Sequence, residues 1–114
     1  MVVAMPVTAD GQLGGGWGKA RNVAVARVNG QGSVESFDVY TVEWDALHDE
    51  DGEGQHHARI ARFLIDHGVD RVATGHMGPG MVHMLGKMNI SVVQNAAGDA
   101  REAASRYGRQ EGPI

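Results

Sequence analysis

Any chemistry in this chain must be done without thiols. It carries 6 histidines and 14 carboxylates but no cysteine. Structural disulfides and thiolate ligation of zinc or iron–sulfur clusters are therefore excluded. A metal here would be held by His, carboxylate, Met or backbone. The most informative stretch is Thr74-Gly75-His76-Met77-Gly78-Pro79-Gly80-Met81. It joins a β-rich run, Arg71-Val72-Ala73, to a helical run with Met81, Met84, Leu85 and Met88 at i, i+3, i+4 and i+7. Proline is tolerated in a first helical turn, and glycine lets backbone approach a ligand closely. The unpaired N–H groups of such a helix start attract anions, and His76 stands at its mouth. His76 is thus a candidate ligand or hydrogen-bond donor; the plainer role is a loop imidazole satisfying a nearby carbonyl.

A second glycine cluster, Gly14-Gly15-Gly16-Trp17-Gly18, follows the first expected strand in the same way. Two glycine loops after two strands suggest one pocket. Its candidate ligand-binding residues are Gly15, Gly16, Trp17, Gly18 and Lys19 from one loop and Gly75, His76, Met77, Gly78 and Gly80 from the other. Trp17, in a loop where burial is hard, is expected to stack on a ligand or on the partner loop. Lys19 is either an anion contact or a solvated surface charge. The cluster is no P-loop, since no GK[ST] ending exists, and no dinucleotide fingerprint, since spacing and following helix are wrong.

The remaining histidines carry less. His56 and His57 open the first long helix and are candidate metal ligands with His76. Adjacent helical residues point about 100° apart, so the two do not readily share one ion. His83 falls opposite the methionine stripe and suits the surface, His67 suits a cation near a helix C-terminus, and His48 lies in an acidic loop. Asp49, Asp51, Glu53 and Gly54 copy half of an EF-hand loop, but its twelfth position is Ile60, where a bidentate Glu is required. The stripe of Met84 and Met88 is core packing, for which Met is well suited; Met77, in the loop, is left open.

These residues need a framework. At 114 residues, with 10 basic and 14 acidic side chains and a formal charge of −4, the chain is one domain and a poor electrostatic partner for nucleic acid. No apolar run approaches the ~18–20 residues of a membrane span, and no charged n-region with cleavage site precedes the first strand, so a cytoplasmic protein is expected. Val2–Val7 is nearly all apolar, as in a strand buried on both faces. Residues 20–28 and 33–44 are β-rich around a turn at Asn29-Gly30-Gln31-Gly32. After the acidic loop from Asp45 to Gly54, the period changes to 3.6 with Ile60, Ala61, Phe63 and Leu64, and Gly68 is the expected cap. Strands at 69–74 and 90–93 flank the methionine helix, and Asp99 with Glu102 predicts a capping box for a last helix whose apolar face is Ala100, Ala103, Ala104 and Tyr107. The order βββαβαβα predicts an α/β domain over residues 1–108, a mixed five-stranded sheet flanked by helices, with 109–114 as a frayed tail. The ligand crevice belongs beyond the carboxyl ends of the central parallel strands.

With these motifs in place, the sequence resembles the dinitrogenase iron–molybdenum cofactor biosynthesis family, which includes NifX-like proteins and the C-terminal domain of NifB-like proteins. The similarity runs over roughly residues 2 to 105. It is carried by Gly68-Val69-Asp70, by the crossover through Gly78, and by Leu85-Gly86-Lys87-Met88-Asn89-Ile90-Ser91-Val92. The resemblance implies an RNase H-like fold and a carrier of iron–sulfur or iron–molybdenum cofactor precursors, bound transiently and exchanged with cofactor-assembly proteins. It also carries one departure. The family commonly has His-Phe-Gly and a basic residue in its first loop; here Gly16-Trp17-Gly18-Lys19 keeps the aromatic, the glycine and the base but not the imidazole.

Three functions are open at this point. One is a non-catalytic binding domain for an anionic ligand or metallocluster. Another is a structural or regulatory interaction protein whose glycine loops merely turn corners, since fold alone does not establish function. The third is a metal-dependent hydrolase, which needs several carboxylates converging on two ions about 3.5–4 Å apart. The first strand and residues 74–80 supply none, and Asp10 and Asp70 are the nearest. The oligomeric state is not legible.

Overall fold

A computed structural model describes residues 1–47 and 52–109. The half EF-hand at Asp49 and Asp51, His48, and the tail beyond Arg109 lie outside the described residues. Five strands run β1 (Val2–Val7), β2 (Asn22–Val28), β3 (Val34–Thr41), β4 (Arg71–Ala73) and β5 (Ser91–Val93), in sheet order β3-β2-β1-β4-β5. β1–β2 and β2–β3 are antiparallel, while β1–β4 and β4–β5 are parallel. Helices are α1 (Trp44–Leu47), α2 (Glu53–Asp66), α3 (Pro79–Lys87) and α4 (Ala100–Gly108). The expected mixed five-stranded α/β sheet is therefore present, with one addition. The third strand ends at Thr41, short of the expected 44, and the single turn α1 takes Trp44 from the expected β-rich run and residues 45–47 from the expected loop, because Trp44 is buried and draws the chain inward.

All six residues of β1 are buried. Strand alternation sends Val2 and Ala4 to the face covered by α2 and α3, against Ile60, Leu64, Met81 and Leu85. It sends Val3, Met5 and Val7 to the opposite face, against Ala100, Ala103 and Ala104 of α4. A proline in a central strand is unusual because it cannot donate to the ladder. Pro6 is accommodated because the β1–β4 pairing stops at Ala4. Beyond that point, the Pro6 carbonyl accepts instead from the Gly14 amide at 2.7 Å.

The helix ends follow their sequence signals. Gly68, at φ +63°, closes α2 with Gly68 N–H to the Ile65 carbonyl and Val69 N–H to the Leu64 carbonyl, a Schellman closure. Asn89, at φ +61°, closes α3 the same way, with Ile90 N–H on the Leu85 carbonyl. The Asp99 carboxylate accepts from Glu102 N–H at 3.1 Å to start α4. Asp70, in the segment shared with the family, accepts the Val2 amide at 2.8 Å and so pins the start of β1 beside β4.

Candidate functional site

After β1 the chain folds straight back. Thr8 N–H bonds the Gln12 carbonyl through a turn at Gly11 (φ +84°), and Leu13 pairs with Val7. This return delivers Gly15–Trp17 beside the loop that leaves β4. Gly16 and His76 form a parallel bridge, with Trp17 N–H donating to the His76 carbonyl at 3.1 Å. The two backbones touch closely enough that a Cβ on Gly75 would sit 2.8 Å from the Gly15 carbonyl oxygen. The glycine loops thus converge at one rim of the sheet, at the carboxyl ends of β1 and β4.

Hydrogen bonding ties the second loop down. The Gly75 and His76 carbonyls accept from Asn95 N–H at 3.1 Å and from Trp17 N–H. Thr74 Oγ1 adds a second donor to the His76 carbonyl at 3.2 Å. Helix α3 begins with Gly78 as N-cap, without a side-chain cap, and with Pro79 in its first turn. Its first intrahelical bond in this region is Val82 N–H to the Gly78 carbonyl, which leaves the Gly80 and Met81 amides without helical acceptors. Gly15, Gly16, Lys19, His76 and Gly80 are exposed and Gly78 is half-buried. The surface here carries an imidazole, an ammonium and the Gly80 amide of the helix start.

Not every expected site residue keeps that role. Trp17 is 1% exposed and makes an edge contact with Trp44 at 5.1 Å, so its ring fills core instead of a ligand face. Trp44 in turn meets Phe63 edge-on at 5.5 Å. The indole Nε1 of Trp17 has no hydrogen-bond partner. Met77 is 3% exposed in the same core, with its N–H on Gln94 Oε1 at 3.0 Å. Only the backbone of these two residues remains at the rim. His56 is 3% exposed, and both of its ring nitrogens are engaged. Arg59 Nη1 lies 3.1 Å from Nδ1, and Nε2 lies 2.7 Å from the Gly18 carbonyl. Since guanidinium can only donate, Nδ1 accepts and Nε2 carries the proton given to Gly18. His56 as placed is a strut under the first glycine loop; ligating a metal would require breaking one of these contacts. His57 is half-buried, and His76 is the exposed imidazole of the three.

Gln94, Arg59 and Trp44 support the site without having been singled out from sequence. Gln94 was within reach, since it follows β5 and strand ends gather at this rim. No group of three or more His, Asp or Glu among the described residues could hold a metal ion. A resident ion with several protein ligands does not fit here. An anion, or a cluster bringing its own sulfides as hydrogen-bond acceptors, fits the donor-rich rim.

Comparison with known proteins places this geometry in a family. Among solved structures, the fold is similar to that of the protein PH0822, with TM-score 0.75 and 22% identity over 96% of this chain and 91% of that one. It is also similar to the apo form of the orange protein from Desulfovibrio gigas, with TM-score 0.70 and 21% identity over 93% and 85% of the two chains. Likeness at such identity is a likeness of fold. No curated protein sequence matches the chain. The family profile for dinitrogenase iron-molybdenum cofactor proteins matches residues 1–110, and the chain belongs to that family.

Proposed function

We propose that this protein is a small non-catalytic carrier domain that holds an anionic metal–sulfur cofactor precursor transiently at the glycine rim and passes it to cofactor-assembly proteins. One observation carries the reading: loops Gly15–Lys19 and Gly75–Gly80 meet through the Gly16–His76 bridge, with His76 exposed beside the start of α3, where the Gly80 amide has no helical acceptor. Amide donors and a helix start stabilise negative charge without committing to a metal. A single imidazole adds one exchangeable contact, which suits cargo that must leave. The loss of the family's usual loop imidazole at Gly16 weakens retention further in the same direction.

Hydrolysis has less support. Asp10 is hydrogen-bonded to Thr8 in the first loop, whereas Asp70 binds Val2 N–H at the start of β4, the opposite end of the sheet. These carboxylates do not converge as two-ion hydrolases require.

The probe is the apo protein incubated anaerobically with ferrous iron, sulfide and molybdate, then desalted. The expected result is visible absorption that stays with the protein and falls about tenfold in His76→Ala, the effect of losing one charge-assisted contact. Because His76 is exposed, that variant keeps the wild-type circular dichroism. Loss of all colour on desalting would exclude cluster binding. In that event, amide shifts at Gly78, Gly80 and Met81 on titration with molybdate alone distinguish a plain anion site from an inert corner.

A further inference from the structure

At the other end of the sheet, where β4 and β5 begin, a groove of about 480 Å³ is lined by Met1, Arg71, Ser91, Val92, Val93, Arg106, Tyr107 and Arg109. We propose that it is a docking surface for an extended acidic segment of a partner protein. This inference rests on residues outside the glycine rim and stands whether or not the rim carries a cluster.

Charge comes first. The chain as a whole is acidic, with a formal charge of −4, yet three of its ten basic residues line this groove and, among the described residues, no carboxylate does. Among the described residues none of these three arginines is in an ion pair. Arg106 and Arg109 lie three apart at the end of α4, hence on one side of it, and both are exposed. Arg71 is held at the first position of β4, its Nε donating to Ser91 Oγ at 2.8 Å and its Nη1 to the Tyr107 carbonyl at 2.6 Å. A guanidinium has five N–H donors, so three remain beyond these two bonds on a side chain already fixed in place. Two carboxylates lie nearby: Asp70, beside Arg71 and bonded to the Val2 amide, and Glu102, which shares an adjoining groove with Ser105, Arg106 and Arg109.

Shape decides the class of ligand. A bare anion needs a few donors in a small cup, whereas this groove is also lined by Met1, Val93 and Tyr107. A volume near 480 Å³ is in the range that holds several peptide residues or a drug-sized molecule. β5 is the outermost strand of the sheet on this side, pairing with β4. α4 packs across β1 to β4, which leaves Val93 half-buried. An extended segment can run along such an edge with apolar side chains on Val93 and Tyr107, which share the α4 face, and acidic ones on the arginines. A nucleic acid, by contrast, would have to lie against the rest of an acidic surface. The groove and the glycine rim are at opposite ends of β4, so a partner seated here leaves the rim accessible.

The test uses the full chain and a fluorescein-labelled octapeptide alternating Glu and Val, read by anisotropy at about 50 mM salt. Saturable binding is expected, weakened at least fivefold near 500 mM salt, where charges are screened within a few ångström. Arg106→Glu with Arg109→Glu should weaken it tenfold or more. Arg106→Lys with Arg109→Lys should retain most of it, and Lys19→Glu at the glycine rim should leave it unchanged. Both arginines are exposed, so the reversal variant is expected to keep its fold, which thermal melting verifies. The proposal is overturned if the reversal variant binds equally well, if inorganic phosphate competes at the peptide's own concentration, or if a single-stranded oligonucleotide binds more tightly than the peptide.

Discussion

Gly75→Ala is the sharpest perturbation of the convergence on which the site depends. An alanine Cβ there would lie 2.8 Å from the Gly15 carbonyl oxygen and 3.0 Å from the Gly15 Cα, whereas ordinary van der Waals contact begins near 3.4 Å. Both obstacles are backbone, so no side chain can rotate away. The loops must part, stretching the Trp17 N–H to His76 carbonyl bond that spans 3.1 Å. Overpacking of this kind costs about 1–3 kcal/mol. For a domain of this size, about 2 kcal/mol corresponds to a fall in Tm on the order of 10 °C. The control is Gly15→Ala, across the same contact. A Cβ at Gly15 meets nothing within 4 Å and its φ is not positive, so stability should change by no more than about 1 kcal/mol, in the favourable direction if at all. Urea and thermal unfolding of the two variants decide the matter. A Gly75→Ala protein as stable as wild type, or a Gly15→Ala protein damaged equally, refutes the close approach of the two loops.

Two further variants probe the supports. Trp17 buries an indole N–H without an acceptor, so Trp17→Phe removes an unmet donor that costs about 1–3 kcal/mol and should lower stability by under about 1.5 kcal/mol in urea unfolding, whereas Trp17→Ala should cost about 3–5 kcal/mol. Asp99→Ala removes the acceptor for Glu102 N–H and should cost about 1 kcal/mol by the same measurement, without altering colour retention at the glycine rim.

The fold was largely legible because its signals are local and agree with one another. The unbroken apolar run Val2–Val7, the Asn29-Gly30 turn, the 3.6-residue period after Gln55, Gly68 and Asp99 each act within a few residues, and each is used as its chemistry suggests. The strand ends also located the rim, since right-handed crossovers leave few alternatives. What a side chain does at that rim was less legible. Trp17 looked exposed because glycines surround it, but the hole it fills is made by Trp44 and Phe63, 27 and 46 residues further along the chain. His56 was a candidate ligand because it opens the first long helix, where the family resemblance implies a histidine, with a plain N-terminal turn residue as the other reading. Its role is set by a carbonyl 38 residues away and by Arg59, neither of which a periodicity can bring to it.

These long-range contacts bear on how the rim is held. His56 ties α2 to the Gly18 carbonyl, and Trp17, one residue earlier, is clamped against Trp44. The first glycine loop is therefore anchored at its far end by two contacts from the helical layer. The second loop is anchored by Asn95 and Gln94, beyond β5. Between these anchors the rim is crossed by backbone links, the Gly16–His76 bridge and the Gly15–Gly75 contact. Attachment on both sides with a glycine seam in the middle fixes the two loops relative to each other, which under the proposed carrier function lowers the ordering cost of binding.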